Sequence, residues 1–286
     1  MAEKPLVSVV CLCYNQASFV REAIYSVLDQ TYDNVELVVV DDASTDDSRY
    51  AIRSTLSKLD HVRFMPLPSN VGNCQAFNTA LPLLKGKYVI DLAADDMLLP
   101  DRIAKGVEDL ESKGEEYGVN FTNVEIVDAE GHHLHHHYEV NKNGTARTKP
   151  PEGDLYATLV SRYVINPVSM MIRKSVLDDL GGYDETLSYE DFDFWVRSSR
   201  KFLYSYTDEV LVRKRKHSSN MSALQYAKGS PQLYDTYKVC EKIKAMNKSS
   251  AENKALKKRV YYEMKQCMKL REMKLFNKYS KFLLKG

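Results

Sequence analysis

Two apolar runs in the first hundred residues end alike, and this shared ending constrains the fold more than any other feature of the chain. Val35–Val40 runs into Asp41 and Asp42, followed by Ala43, Ser44 and Thr45, and Tyr88–Leu92 leads through Ala93 and Ala94 into Asp95 and Asp96. Short apolar runs bounded by turn residues read as buried strands. Leu6–Cys13 and Val62–Met65 have the same character. Between these runs the spacing is helical: Val20, Ile24, Val27 and Leu28 share one face of Phe19–Gln30, a second helix opens near Asp46 and carries Ile52 and Leu56, and Asn73–Leu84 is a third. Strands alternating with helices predict right-handed βαβ units and a largely parallel, buried sheet of the α/β class. In such sheets a ligand sits beyond the carboxyl ends of the strands, which is where Asp41, Asp42, Asp95 and Asp96 fall.

Beyond Pro100 the pattern is mixed. A helix to about Ser112 and a strand over Val119–Val127 precede a polar stretch, 128–153, that reads as loop or hairpin. Leu155–Val164 reads as helix, Pro167–Leu177 as a strand running into a turn, and Gly181-Gly182 as a break. Glu190–Arg200 follows as helix and Lys201–Arg213 as strand; from Leu233 onward the chain is helical and polar. Charge divides the same way. Of 40 Lys/Arg and 39 Asp/Glu, residues 234–286 hold 15 and 5, which leaves 25 against 34 in the first 233: an acidic body and a basic tail. The five cysteines are scattered without a C-x-x-C, against a disulfide framework or zinc ribbon. The N-terminal apolar run is short and lacks a small-residue cleavage site, and no stretch approaches the roughly 20 apolar residues of a membrane span. The expected location is cytoplasmic, with attachment to the inner face of the cytoplasmic membrane as an option.

Carboxylates clustered at strand ends are costly unless a positive partner lies among them. Hard oxygen ligands favour Mg²⁺ or Mn²⁺, and Mg²⁺ is commonly shared with substrate phosphates. An Asp-Asp pair bridging such an ion to a diphosphate is the chemistry this pattern suggests.

Five blocks carry a wider likeness: "VSVVCLCYNQASFVREAIYSVLDQTYDNVELVVVDDASTDDS", "NVGNCQAFNTAL", "GKYVIDLAADDMLLPDRI", "GGYDETLSYEDFDFWVR" and "RKRKHSSNMS". In order and spacing they resemble family 2 glycosyltransferases over about residues 6–222. The resemblance implies the GT-A fold: a Rossmann-like, mixed, mostly parallel sheet flanked by helices. It places a catalytic domain at 1–225, with a nucleotide-binding half to about 100 and an acceptor half at 101–225, and leaves 226–286 as a basic helical C-terminal extension. It also implies an inverting transferase that moves a sugar from a nucleoside-diphosphate donor, commonly a UDP-sugar, to a hydroxyl of a glycan or lipid-linked glycan. The class is hexosyl- or N-acetylhexosaminyl-transferase, in polysaccharide or surface-glycan synthesis, with Mn²⁺ or Mg²⁺ as cofactor.

Residue by residue, Tyr14 and Asn15 match the loop lining the base and phosphates, Asp42 the aspartate that bonds the base, and Gly72 and Asn78 the segment beside the nucleotide. Asp95 matches the metal-binding aspartate of D-x-D, with Asp96 beside it, and His217 a histidine that reaches the metal or diphosphate. Asp191 matches the catalytic base, and Glu190, Asp193 and Trp195 belong to the acceptor side. Two positions depart from the pattern: Ala93 replaces the first aspartate of D-x-D, and Phe77 stands where relatives often carry Arg. Asp91 shares the strand face of Ala93 and Asp95 and is a candidate for part of that role or for a structural ion pair.

Competing readings remain. Acidic residues at 190–191 suit a helix start whatever their function, and a catalytically silent nucleotide-sugar-binding or scaffold protein is the alternative to an enzyme. A dinucleotide oxidoreductase lacks its G-x-G-x-x-G after the first strand, and no nucleic-acid partner is expected. The segment "GHHLHHHYE" holds five of the seven histidines without zinc-site spacing, and reads as an exposed loop near the acceptor entrance. In the tail, Leu256, Val260, Met264, Cys267 and Met268 recur at helical spacing, which suits packing on the catalytic domain, a peripheral membrane contact or a homodimer contact.

Overall fold

The structure is a computed structural model that describes residues 4–217, 220–221 and 225–284. Within the block Arg213–Ser222, Ser218, Ser219 and Ser222 lie outside the described residues. Strands β1 (Val7–Cys13), β2 (Val35–Asp41), β3 (Arg63–Pro66) and β4 (Tyr88–Ala93) form a parallel set in the order β3-β2-β1-β4. Helices α1 (Val20–Leu28), α2 (Ser48–Leu56) and α3 (Asn73–Ala80) connect them. Val7, Val9 and Val10 of β1 and Val39 and Val40 of β2 are fully buried, as in central strands covered on both faces.

The sheet continues through β8 (Met171–Arg173), β6 (Tyr117–Val127), β9 (Leu203–Arg215) and β5 (Met97–Leu98). It is mixed there: β8 is antiparallel to β4 and β6, while β6 and β9 run parallel. Strand β7 (His133–His136) folds back on β6, so the polar stretch after residue 128 begins as a hairpin. Three local differences from the sequence pattern have plain causes. Strand β5 is two residues long, too short for periodicity to register. The apolar run at 167–177 is divided among a 3₁₀ turn (Pro167–Ser169), β8 and helix α6 (Lys174–Leu180), a run length that does not separate strand from buried helix. The Leu155–Val164 stretch is helical only over α5 (Tyr156–Ser161).

Helices α1, α2 and α4 (Arg102–Lys113) cover one face of the sheet and α3, α5, α6 and α7 (Asp191–Ser199) the other. The tail forms α8 (Pro231–Met246), α9 (Ser250–Leu270) and α10 (Met273–Leu284). Its Leu233, Val239, Ile243, Leu256, Val260, Cys267, Leu275 and Tyr279 are buried in the same cluster as Phe192, Phe194 and Trp195 of α7. One buried tail contact is ionic: Arg259 and Glu263, 2% and 1% exposed, pair at 3.2 Å, and the guanidinium lies 4.1 Å from the Tyr163 ring and 4.9 Å from that of Phe192. Arg259 apart, basic residues such as Lys257, Lys258, Lys265 and Lys269 are exposed on helices whose inner surface completes the core. Among the described residues no helix is long and apolar enough to cross a membrane.

Candidate active site

Register places the site. Cys13 is level with Asp41, and Leu12 is level with both Val40 and Ala93, so the loops leaving β1, β2 and β4 emerge side by side. They form one wall of a pocket of about 500 Å³ lined by Tyr14, Gln16, Asp42, Gly72, Asn73, Asp91, Asp95 and Asp96. Opposite are Tyr183, Glu190 and Asp191, with Lys214 from β9 and Gln232 from α8.

Asp42 accepts hydrogen bonds from the backbone N–H of Val71 at 2.7 Å and Gly72 at 2.9 Å. Gly72 supplies this N–H with φ at +86°, a conformation side-chain-bearing residues rarely adopt, and it starts α3. Asn15, also at positive φ, turns its side chain away from the pocket and accepts at Oδ1 from Thr45 N–H at 2.8 Å. Asn15 thus shapes the loop after β2, and Tyr14 and Gln16 on either side of it line the cavity. Asn78 is likewise outside the pocket wall. Its Nδ2 donates to Tyr183 O at 2.8 Å and its Oδ1 accepts from Tyr183 N–H at 2.9 Å. It ties α3 to the segment that leads to Asp191, and a Cβ on Gly182 would lie 2.4 Å from its oxygen.

At the end of β4, Asp95 Oδ2 contacts His217 Nε2 at 2.9 Å and Asn220 Nδ2 at 2.8 Å, with Gln16 Nε2 at 3.4 Å. Gln16 Oε1 beside it is buried without a hydrogen-bond partner among the described residues. Asp96 Oδ1 accepts from Arg215 N–H at 2.9 Å, and burial, then the Asp95 charge, pushes its carboxyl well above the usual range. Asp95 and His217 offer oxygen and imidazole nitrogen, a set that suits Mn²⁺ or Mg²⁺ completed by diphosphate oxygens, and the orphaned Gln16 oxygen is a natural acceptor for a water on such an ion. Asp96 is half committed to β9 and less free to ligate.

Asp191 opens α7. Its Oδ1 is buried without a hydrogen-bond partner among the described residues, and its carboxyl is pushed well above the usual range by burial, then by the neighbouring Glu190 charge, against the pull of Lys214. Glu190 accepts from Asn73 Nδ2. Asp91 also faces the pocket and is raised by burial and by Glu190, with the Tyr183 hydroxyl easing it. Asp193, expected on the acceptor side, is 1% exposed and bonds Arg197 and Lys242, each at 2.6 Å; it points at the tail because position i+4 and α8 lie on that face. Trp195 donates to Met170 Sδ at 3.2 Å and borders a side chamber of about 180 Å³ behind Asp191, shared with His137, Tyr163, Asn166 and Lys214.

Gln16, Asn73, Asn220 and Tyr183 were not singled out from sequence. Asn73 follows Gly72 directly and Asn220 lies three residues after His217, so adjacency to the motif was the available signal. Tyr183 had none beyond its place after the glycine pair.

Residues 8–181 match the family model described as glycosyl transferase family 2. Among curated proteins, an uncharacterized glycosyltransferase of Rickettsia prowazekii is 30% identical over 216 residues, 75% of this chain and 65% of that one. A second, from Rickettsia bellii, is 31% identical over 219 residues, 76% of this chain but 31% of its own length. The chain thus spans less than two thirds of either relative. Among solved structures, residues 1–349 of Staphylococcus aureus TarS in complex with UDP-GlcNAc superpose with a TM-score of 0.68 at 19% identity, covering 89% of this chain and 71% of that one. The Pyrobaculum calidifontis mannosyltransferase PcManGT, in complex with GDP-Man and Mn²⁺, gives 0.65 at 18% identity over 94% and 73%. The shared architecture is the GT-A fold.

Proposed function

The chain belongs to glycosyl transferase family 2, and from that premise we propose that it is an inverting, divalent-metal-dependent transferase that moves a hexosyl or N-acetylhexosaminyl group from a nucleoside-diphosphate sugar, UDP-linked in first place, to a hydroxyl of a growing glycan. The observation that carries this reading is the opposition, across one pocket, of a strand-end wall bearing Asp42 and Asp95 and a helix start bearing the strained carboxyl of Asp191. The S. aureus protein solved with UDP-GlcNAc supports the choice of UDP, and the P. calidifontis protein solved with GDP-Man and Mn²⁺ supports a divalent ion.

Asp42 and Tyr14 would hold the nucleoside. Asp95 and His217 would hold a divalent cation, which offsets the charge on a departing diphosphate. Asp191 takes the proton from the acceptor hydroxyl as its oxygen bonds to the anomeric carbon. The bond from that carbon to the diphosphate oxygen breaks on the opposite face, and the configuration inverts. A raised pKa strengthens Asp191 as a base, and the unpartnered Oδ1 leaves a lone pair for the proton. The side chamber bordered by Trp195 and His137 gives the acceptor room next to that oxygen.

Calorimetric titration of UDP, GDP, dTDP and CDP with and without Mn²⁺ tests the reading. Mn²⁺-dependent binding of one of them, weakened by Asp95→Ala, is expected. Binding without any turnover of the matching nucleotide sugar in the presence of glycan acceptors would favour the silent-protein alternative, and affinity indifferent to Mn²⁺ and to Asp95→Ala would remove the metal from the site.

A further inference from the structure

We propose that the β6–β7 hairpin carries a second metal site, separate from the active site, in which Glu125, His133 and His136 bind one divalent transition-metal ion, Zn²⁺ before others. One ligand atom from each of the three residues lies within 4.8 Å of the other two. Strand register explains how. Glu125 is paired with His136 and Ile126 with His135, but Val127 is paired with His133, so Leu134 is an extra residue in β7. A regular strand would put positions 133 and 136 on opposite faces. The bulge cancels that alternation and brings both imidazoles to the Glu125 side, their ring centroids 4.7 Å apart.

The carboxylate is already oriented. Arg213 Nε donates to Glu125 Oε2 at 2.7 Å, leaving Oε1 on His133 Nδ1 at 2.9 Å. A hydrogen-bonded partner that fixes a ligating carboxylate is the usual outer shell of a metal site. Two imidazole nitrogens and one carboxylate oxygen form the three-ligand set of open zinc sites, with water in the fourth position. Metal–ligand distances of about 2.0–2.2 Å put tetrahedral ligands roughly 3.3–3.5 Å apart, so the His133–Glu125 pair at 2.9 Å opens a little and His136, within 4.8 Å of both, draws in. The His133 and Glu125 side chains are 48% and 17% exposed, which leaves the ion a path from solvent. Imidazole favours Zn²⁺, Cu²⁺ or Ni²⁺ over Mg²⁺ and Mn²⁺, so a site with two imidazoles selects these ions more strongly than an active site with His217 alone and diphosphate oxygens.

A neighbouring group, Asp128, Glu130 and His132, also clusters within 4.8 Å, but its own turn accounts for it. Asp128 Oδ1 accepts from the N–H groups of Glu130 at 3.0 Å and His132 at 2.8 Å. The consequence of filling the first site reaches the reaction chamber. His137, the residue after His136, lines the wall of the side chamber; it donates its N–H to Val124 O at 2.8 Å and places Nε2 3.1 Å from Val164 O. An ion that clips β7 to β6 would hold that wall in place.

The test is calorimetric titration of the full chain with ZnCl₂, together with visible absorption on adding Co²⁺. The Asp95→Ala background is included to silence the active site. The expected result is one Zn²⁺ bound in that background at a low-micromolar Kd or tighter. The double variant His133→Ala/His136→Ala should lose at least the roughly tenfold in affinity that removal of even an outer-shell partner causes. Glu125→Gln should weaken binding and His132→Ala should leave it unchanged. In the Asp95→Ala background the double variant should lose the absorption bands of imidazole-bound Co²⁺, and in the chain with Asp95 intact it should keep its nucleotide affinity. Equal Zn²⁺ affinity with and without His133 and His136, or no Zn²⁺ uptake in the Asp95→Ala protein, overturns the proposal. Neither outcome bears on the nucleotide-sugar reading, which the nucleotide titration tests by itself.

Discussion

The two walls of the pocket differ in how their carboxylates are kept. On the strand-end wall Asp42 is bonded by two backbone N–H groups and Asp95 by His217 and Asn220. On the opposite wall Asp191 keeps one oxygen without a partner, beside another carboxylate. Asp42 and Asp95 are thus bonded before any ligand arrives, as suits binding, while Asp91 and Asp96 on the same wall are raised by burial. The second wall is under electrostatic stress that only a proton relieves, as suits a base. Stability and activity should therefore respond in opposite senses to neutralising Asp191.

Asp191→Asn breaks that contrast most severely. Turnover should fall by about 10²–10⁴, the range of a general base, with the nucleoside-diphosphate Kd unchanged. Because the folded carboxyl titrates above its unfolded value, the folded state binds the extra proton, and the wild type loses stability as pH rises from about 4 towards the folded pKa. The Asn variant lacks this loss. In urea denaturation it should match the wild type near pH 4 and exceed it at pH 7. Equal stability at both pH values would show that the carboxyl is not stressed, and substantial residual turnover would remove it from the base role.

A second comparison separates the sheet from the tail. If the tail were an appendage, damage to it would leave the catalytic body intact. Arg259→Ala leaves Glu263 buried without its guanidinium, which typically costs about 3–5 kcal/mol, and it removes the cation from the rings of Tyr163 and Phe192. One cooperative transition shifted down by roughly 10 °C in calorimetry is expected, and Arg259→Met/Glu263→Leu should recover most of it. Two separate transitions, with the body's Tm unmoved, would make the tail an independent unit.

The same contrast decides what was legible in the sequence. Asp42 and Asp95 stand directly after apolar runs, and parallel register alone brings those strand ends together, so a local pattern located one wall. The opposite wall depends on distant partners. Asn78 meets Tyr183 across 105 positions, and Ser188 bonds Asp235 across 47. No spacing rule encodes such pairs, so Asn78 read as a nucleotide contact and Asp193 as an acceptor contact when both serve as braces. The local role of Asn15 was hidden for a related reason: it sits at positive φ with its side chain bonded to the loop after β2, and a motif match carries no dihedral angle. The tail's apolar stripe was visible, but its packing against α5 was not, because periodicity shows that a face is buried without naming its partner.

Lys242 is the finest lever on the comparison, since it joins the tail to the stressed wall without entering the pocket. Its ammonium reaches Asp184 at 2.5 Å and Asp193 at 2.6 Å, on either side of Asp191 in the chain. Burial pushes the Asp184 carboxyl up, but hydrogen bonds from Lys242 and Thr186 outweigh it and hold it at about 2. A depressed folded value means stability that is present above the unfolded value of about 3.9 and is lost as pH falls towards 2. Lys242→Met keeps the stem and removes the charge, while Asp193 retains Arg197. With Lys242 partly exposed, the expected loss is about 1–2 kcal/mol at pH 7, shrinking as the solution is acidified below pH 4. Turnover should fall several-fold at unchanged nucleotide Kd, because what loosens is the placement of Asp191 and not the strand-end wall. A stability difference that is constant from pH 7 to 3, or a change in nucleotide affinity equal to the change in turnover, would mean that Lys242 acts on the whole pocket and that the two walls are not held separately.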